Sequence, residues 1–64
     1  MNHFAENIKS YRTEAKLTQA ELANQLGVST NVIGHWEKGR TEPNLDTLLK
    51  LCDILQVSLD ELIR

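Results

Sequence analysis

The sequence predicts an all-α fold of five short helices. Three observations carry this. Apolar residues recur at steps of three and four, the spacing of a helix stripe. Ser, Thr and Asn stand ahead of these stripes, twice with Glu three positions on, where helix starts are capped. No segment shows the alternation of a half-exposed strand.

Phe4, Ile8, Tyr11 and Ala15 form the stripe of a first helix, with Asn2 or His3 ahead of it and Leu17 as a hydrophobic hinge behind it. Thr18 and Glu21 make a capping box for a second helix, whose inner face is Leu22, Ala23 and Leu26. Gly27 ends it, because glycine enters the left-handed region at low cost. Ser29 caps a third helix with Val32, Ile33 and Trp36 turned inward, and Gly39 closes it. The segment "RTEPN" is a loop in which Pro43 forbids helix continuation. Asn44 caps a fourth helix carrying Leu45, Leu48, Leu49, Cys52 and Leu55. Ser58 and Glu61 form a second capping box, opening a last helix with Leu59, Leu62 and Ile63.

Length and composition narrow the function classes. A chain of 64 residues reads as one domain, residues 1–64, burying roughly 60% of its unfolded surface. Its single cysteine excludes an internal disulfide, and no Cys/His cluster has zinc spacing. Such a domain depends on good helix packing, on a partner chain, or on both. No apolar run approaches the roughly 20 residues of a membrane span, and "MNHFAENIKS" lacks the apolar centre of a signal peptide. The expectation is a soluble, reduced, cytoplasmic protein with no metal, no cofactor, no membrane partner and no evident small-molecule ligand.

Charge is unevenly placed. Residues 1–41 carry five cations against four carboxylates, a balance of +1, whereas residues 42–64 carry two against five, a balance of −3. An anionic partner would therefore belong to the first part.

The spacing around Gly27 has a specific geometry. Ala23 lies four positions before it, small enough to let another helix approach, and Ile33 lies six after it. The brief "GVS" turn swings the chain, and Ile33 can drop into the angle between the two helices. That is a helix-turn-helix over about residues 18–38, which holds its second helix where the outer face can enter a DNA major groove. An ordinary αα-hairpin is the plain alternative.

The stretch "LTQAELANQLGVSTNVIGHWEKGRTEPNLDTLLKLCDILQVSLDELI" resembles the Cro/repressor-type, or XRE-family, helix-turn-helix domain of phage and bacterial regulators. The matching elements are "LTQAELA", the glycine before "VS", "I..WE.G", the proline loop, "LLKL" and "VSLDEL", in order and across nearly the whole chain. The resemblance implies a compact, five-helix, lambda-repressor-like fold. It also implies double-stranded DNA as partner, homodimerisation and transcriptional regulation, often repression.

Carried over by position, the resemblance makes Thr30, Asn31, Gly34 and His35 the outward, base-reading face of the third helix. Asn31 suits an adenine edge, Thr30 a thymine methyl or a hydrogen bond, and His35 a guanine acceptor or a phosphate. Gly34 supplies no side chain and costs up to about 1 kcal/mol in a helix interior. It stands either for close approach of the backbone or for a position without a reading role. Gln19, at a helix start, is a phosphate ligand; Asn24, Ser29, Lys38 and Arg40 are further ones. The competing reading of these polar residues is a solvated surface. Arg12 and Glu37 are implied to meet as a structural ion pair, and Trp36 belongs with the core. Val57, Leu59 and Ile63 are dimer-interface candidates, with burial in the monomer as the alternative.

Two other function classes compete. A protein-interaction or antitoxin-like module, in which DNA binding is secondary, fits the acidic total and the apolar C-terminal half. An enzyme is disfavoured: nothing orients His3, His35 and Cys52 together, and Cys52 lies on an apolar stripe. No catalytic residue is assigned. The chain is either a complete small regulator or the N-terminal domain of a longer one.

Overall fold

The computed structural model describes residues 3–64. Five helices follow one another: α1 (Phe4–Glu14), α2 (Gln19–Leu26), α3 (Thr30–Glu37), α4 (Leu45–Leu55) and α5 (Leu59–Ile63). No strand occurs among the described residues.

Local chemistry explains most of the boundaries. Thr18 accepts from the Glu21 N–H while the Glu21 carboxylate accepts from the Thr18 N–H at 2.8 Å, so two orphan donors of α2 are satisfied together. Ser58 and Glu61 repeat the arrangement at α5. Asn44 accepts from the Thr47 N–H at 2.9 Å and caps α4. Gly27 at φ +76° and Gly39 at φ +73° turn the chain after α2 and α3, a conformation that costs glycine little.

Other boundaries depart from expectation. Ser29 occupies the N-cap of α3 with extended backbone, but its side chain makes no cap hydrogen bond. His3 is the N-cap of α1 and likewise makes none; Asn2, the other cap candidate, lies outside the described residues. The α1 stripe also ends early. Phe4 and Ile8 are buried and Tyr11 half-buried, while Ala15 is the exposed C-cap residue, because the helix stops at Glu14. Gln56 closes α4 at φ +59° without a glycine to announce the turn.

One core joins all five helices. It contains Phe4, Ile8, Leu22, Ala23, Ile33, Trp36, Leu48, Leu51, Leu55 and Leu62. Full burial of a leucine or isoleucine side chain contributes about 1.5–3 kcal/mol, so the eight-residue α2 and α3 are held by this packing rather than by their own propensity. Trp36 meets Phe4 edge-on, with ring centroids 6.4 Å apart, and seals α3 against α1. Helix α3 packs on α1 and α2, α4 packs on α2 and α5, and α5 returns to α1.

The inner face of α4 corrects the sequence reading. Leu48, Leu51 and Leu55 are buried, whereas Leu45 is 59% and Leu49 48% exposed, and Cys52 is half-buried. A leucine-rich helix offers more than one apolar stripe, and the packing of α4 on α2 and α5 selects the one through Leu51.

Candidate nucleic-acid interface

The turn between α2 and α3 is fixed from several sides. Gly27 lets the chain reverse, the Val28 N–H donates to the Ala23 carbonyl at 3.0 Å, and fully buried Ile33 fills the angle below. Ala23 is 2% exposed, its small side chain letting the neighbouring helix close in. The outer face of α3 is left free of the body, with Thr30, Asn31 and His35 exposed and Gly34 half-buried.

A depression of about 200 Å³ opens on that face, lined by Gln19, Thr30, Asn31, Gly34, His35 and Lys38. It gathers all four base-reading candidates and two of the phosphate-binding ones. Asn24, Ser29 and Arg40 are exposed but lie outside this lining. Arg40 follows Gly39, and its backbone N–H donates to the His35 carbonyl at 2.9 Å, so its position is tied to the end of α3.

Behind the depression is a charged clamp. Arg12 donates through Nε to Glu37 Oε2 at 2.6 Å, through Nη2 to Oε1 at 3.2 Å, and through Nη1 to the Leu17 carbonyl at 2.8 Å. The side chains are 13% and 5% exposed. Gln19 Nε2 also donates to Glu37 Oε1, at 3.0 Å. The last turn of α3 is thus bound to α1 and to the start of α2, and Arg12 ties the hinge to the same cluster. The Gln19 link has no sequence signature: nothing in the local pattern of either helix signals a partner 18 positions away.

Ionisation elsewhere reflects structure. The Thr18 backbone N–H, and secondarily its hydroxyl, hold the Glu21 carboxyl below the ordinary glutamate range. Burial, then the neighbouring Asp53 charge, pushes the Cys52 thiol up, which disfavours a reactive thiolate. Among the described residues, no group of three or more His, Cys, Asp or Glu could hold a metal ion, and no helix is long and apolar enough to cross a membrane. Val57, Leu59 and Ile63 are half-buried and packed against the core.

A family model described as helix-turn-helix matches residues 8–62. The chain belongs to the XRE-type helix-turn-helix family. Among curated members of this family, an uncharacterized HTH-type transcriptional regulator of Bacillus subtilis, YqaE, is 41% identical over 61 residues, which are 95% of this chain and 53% of the relative. Repressor protein C2 of Salmonella phage P22 is 42% identical over 59 residues, 92% of this chain and 27% of the relative. The chain therefore spans about half of the first relative and about a quarter of the second.

Solved structures agree on the helix-turn-helix fold. The P22 c2 repressor in complex with a synthetic operator superposes with a TM-score of 0.89 and 41% identity, covering 95% of this chain and 92% of that one. The fold also forms part of an enzyme: hydroxypropylphosphonic acid epoxidase from S. wedmorenis matches with a TM-score of 0.91 and 31% identity, over 98% of this chain and 34% of that one.

Proposed function

We propose that this helix-turn-helix chain is a sequence-specific DNA-binding module of a cytoplasmic transcription regulator, and that it reads a two-fold operator as a homodimer. One observation carries the reading: the depression on the free face of α3 gathers Thr30, Asn31, Gly34 and His35 between Gln19 and Lys38. With α3 in the major groove, Asn31 pairs with an adenine edge, Thr30 meets a thymine methyl and His35 donates to a guanine acceptor.

The remaining polar residues anchor the duplex. Gln19 uses the amide N–H left over from its bond to Glu37, and the Ser29 hydroxyl, unspent in capping, serves a phosphate oxygen. Lys38 and Arg40 supply charge at the end of α3, with Asn24 as a further anchor on α2. The P22 repressor–operator complex supports DNA as the partner, and the repressors among the relatives support repression as the mode. Dimerisation doubles a readout that is otherwise too short against ~10⁶ or more competing sites, with the apolar remainder of Val57, Leu59 and Ile63 as the proposed contact.

A second reading, a protein-interaction or antitoxin-like module, draws on exposed Leu45 and Leu49 and on the net charge of −2. Selection of bound duplexes from random DNA separates the two. The regulator yields paired half-sites about one helical turn apart. Retention of all sequences equally, or of none, rejects it in favour of the interaction module.

A further inference from the structure

The three glycines differ in what they require. Gly27 and Gly39 take positive φ, which accounts for both. Gly34 does not. It sits in the middle of α3 with helical backbone, and a Cβ built there meets no neighbouring atom within 4 Å. Neither conformation nor packing calls for a missing side chain, and alanine would strengthen an eight-residue helix. The empty space itself is therefore the feature to explain.

That space opens on the depression, whose lining includes Gly34. Thr30 stands one turn before Gly34 and Lys38 one turn after it, while Asn31, His35 and Gln19 complete the wall. To that lining Gly34 contributes only a bare Cα and helix backbone whose polar groups are already used in the helix. The Gly34 carbonyl accepts from the Lys38 N–H at 3.1 Å, and its own N–H is committed inside the helix. A position without a side chain among polar neighbours, its N–H and carbonyl both engaged in the helix, suits an apolar projection. In a major groove that projection is the 5-methyl group of thymine.

We infer that Gly34 is a specificity-determining residue whose missing side chain admits one thymine methyl per half-site. This rests on the proposed reading of α3 as the DNA-reading helix.

The test uses a duplex selected from random DNA by the wild-type protein, with each thymine replaced singly by deoxyuridine. Wild type loses about fourfold in affinity at the thymine seated over Gly34 in each half-site, the contribution of one buried carbon, separately from any loss at a thymine whose methyl meets Thr30. Gly34→Ala loses about tenfold on the unmodified duplex, and deoxyuridine at that same position restores part of the loss. The variant also melts about 4–8 °C higher, from helix propensity alone. Unchanged affinity of Gly34→Ala, equal weakening on selected and random duplexes without deoxyuridine rescue, or a lower melting temperature each overturns the inference. If wild type prefers no selected duplex, the proposed function itself fails, and this inference with it, before the variant is measured.

Discussion

Arg12 and Glu37, 25 positions apart in sequence, form a nearly buried ion pair in which Nε donates to Oε2 at 2.6 Å. Two charges out of water stabilise a fold only while both are present, since a stranded partner retains its full desolvation penalty. Arg12→Ala is expected to lower stability by roughly 3–5 kcal/mol. The folded fraction should keep the wild-type order of preference among DNA sites. Urea unfolding checks the first point, and Arg12→Ala combined with Glu37→Ala should destabilise less than the two single losses summed. Normal melting with weaker DNA binding and a smaller salt slope would instead make Arg12 a phosphate ligand.

Asn7 ties the two ends of the described chain together. Its Nδ2 donates to the Leu62 carbonyl at 3.0 Å and the Glu61 carbonyl at 3.2 Å, satisfying acceptors at the end of α5. Asn7→Ala should cost about 1–2 kcal/mol and raise hydrogen exchange first in α5. Uniform exchange across all helices would show that α5 does not loosen independently.

The helix starts at Thr18 and Ser58 were legible because a capping box is a local signal: cap and partner are three residues apart. Asn7 was not, because its partners lie 54 and 55 positions away. The α4 register failed for another reason. Leu45, Leu48, Leu49, Leu51 and Leu55 offer competing stripes, and only contact with other helices chooses among them. At the interface, the periodicity of Val32, Ile33 and Trp36 placed the inner face of α3 and left the other residues outward. Periodicity alone does not supply the clamp behind them, since Gln19, Glu37 and Arg12 sit on three different helices. The family resemblance supplies its Arg12–Glu37 pair, which the structure forms, but not the Gln19 link.

The α4 correction is itself testable. Leu51 is fully buried, so Leu51→Ala should cost about 2–5 kcal/mol. Leu49 is 48% exposed, and Leu49→Ala should change monomer stability by no more than about 0.5 kcal/mol. Thermal melts of the two variants decide it. Equal destabilisation would return Leu49 to the core.

Both capping boxes make stability fall in acid. The backbone N–H groups of Thr18 and Ser58, and then their hydroxyls, hold the Glu21 and Glu61 carboxyls below their ordinary value of 4.5. A carboxylate with a lowered folded pKa contributes stability that is complete above its unfolded value. That contribution is lost as pH falls through the lowered one. The fold should therefore weaken on acidification below about pH 4.5. Glu21→Gln with Glu61→Gln should flatten that part of the profile. A profile unchanged by the double substitution would assign acid sensitivity to other carboxylates.

Asn31 and Arg40 should separate reading from anchoring. Asn31 is exposed in the first turn of α3 and lines the depression. Its amide carries donors and an acceptor that match the adenine edge. Asn31→Ala should cost roughly 1–3 kcal/mol on the preferred duplex and relax discrimination at one base per half-site. Its salt dependence should barely change, because no counterion-releasing charge is lost. Arg40 lies beyond the helix and outside the depression, held through its backbone bond to His35. Its charge meets the phosphate backbone, which is the same for every sequence. Arg40→Ala should weaken binding to matched and mismatched duplexes alike and reduce the salt slope by about one per subunit. Titrations of both variants at several salt concentrations measure the two signatures together. Identical behaviour would remove the distinction between readers and anchors, and unchanged binding in both would shift the reading to the interaction module.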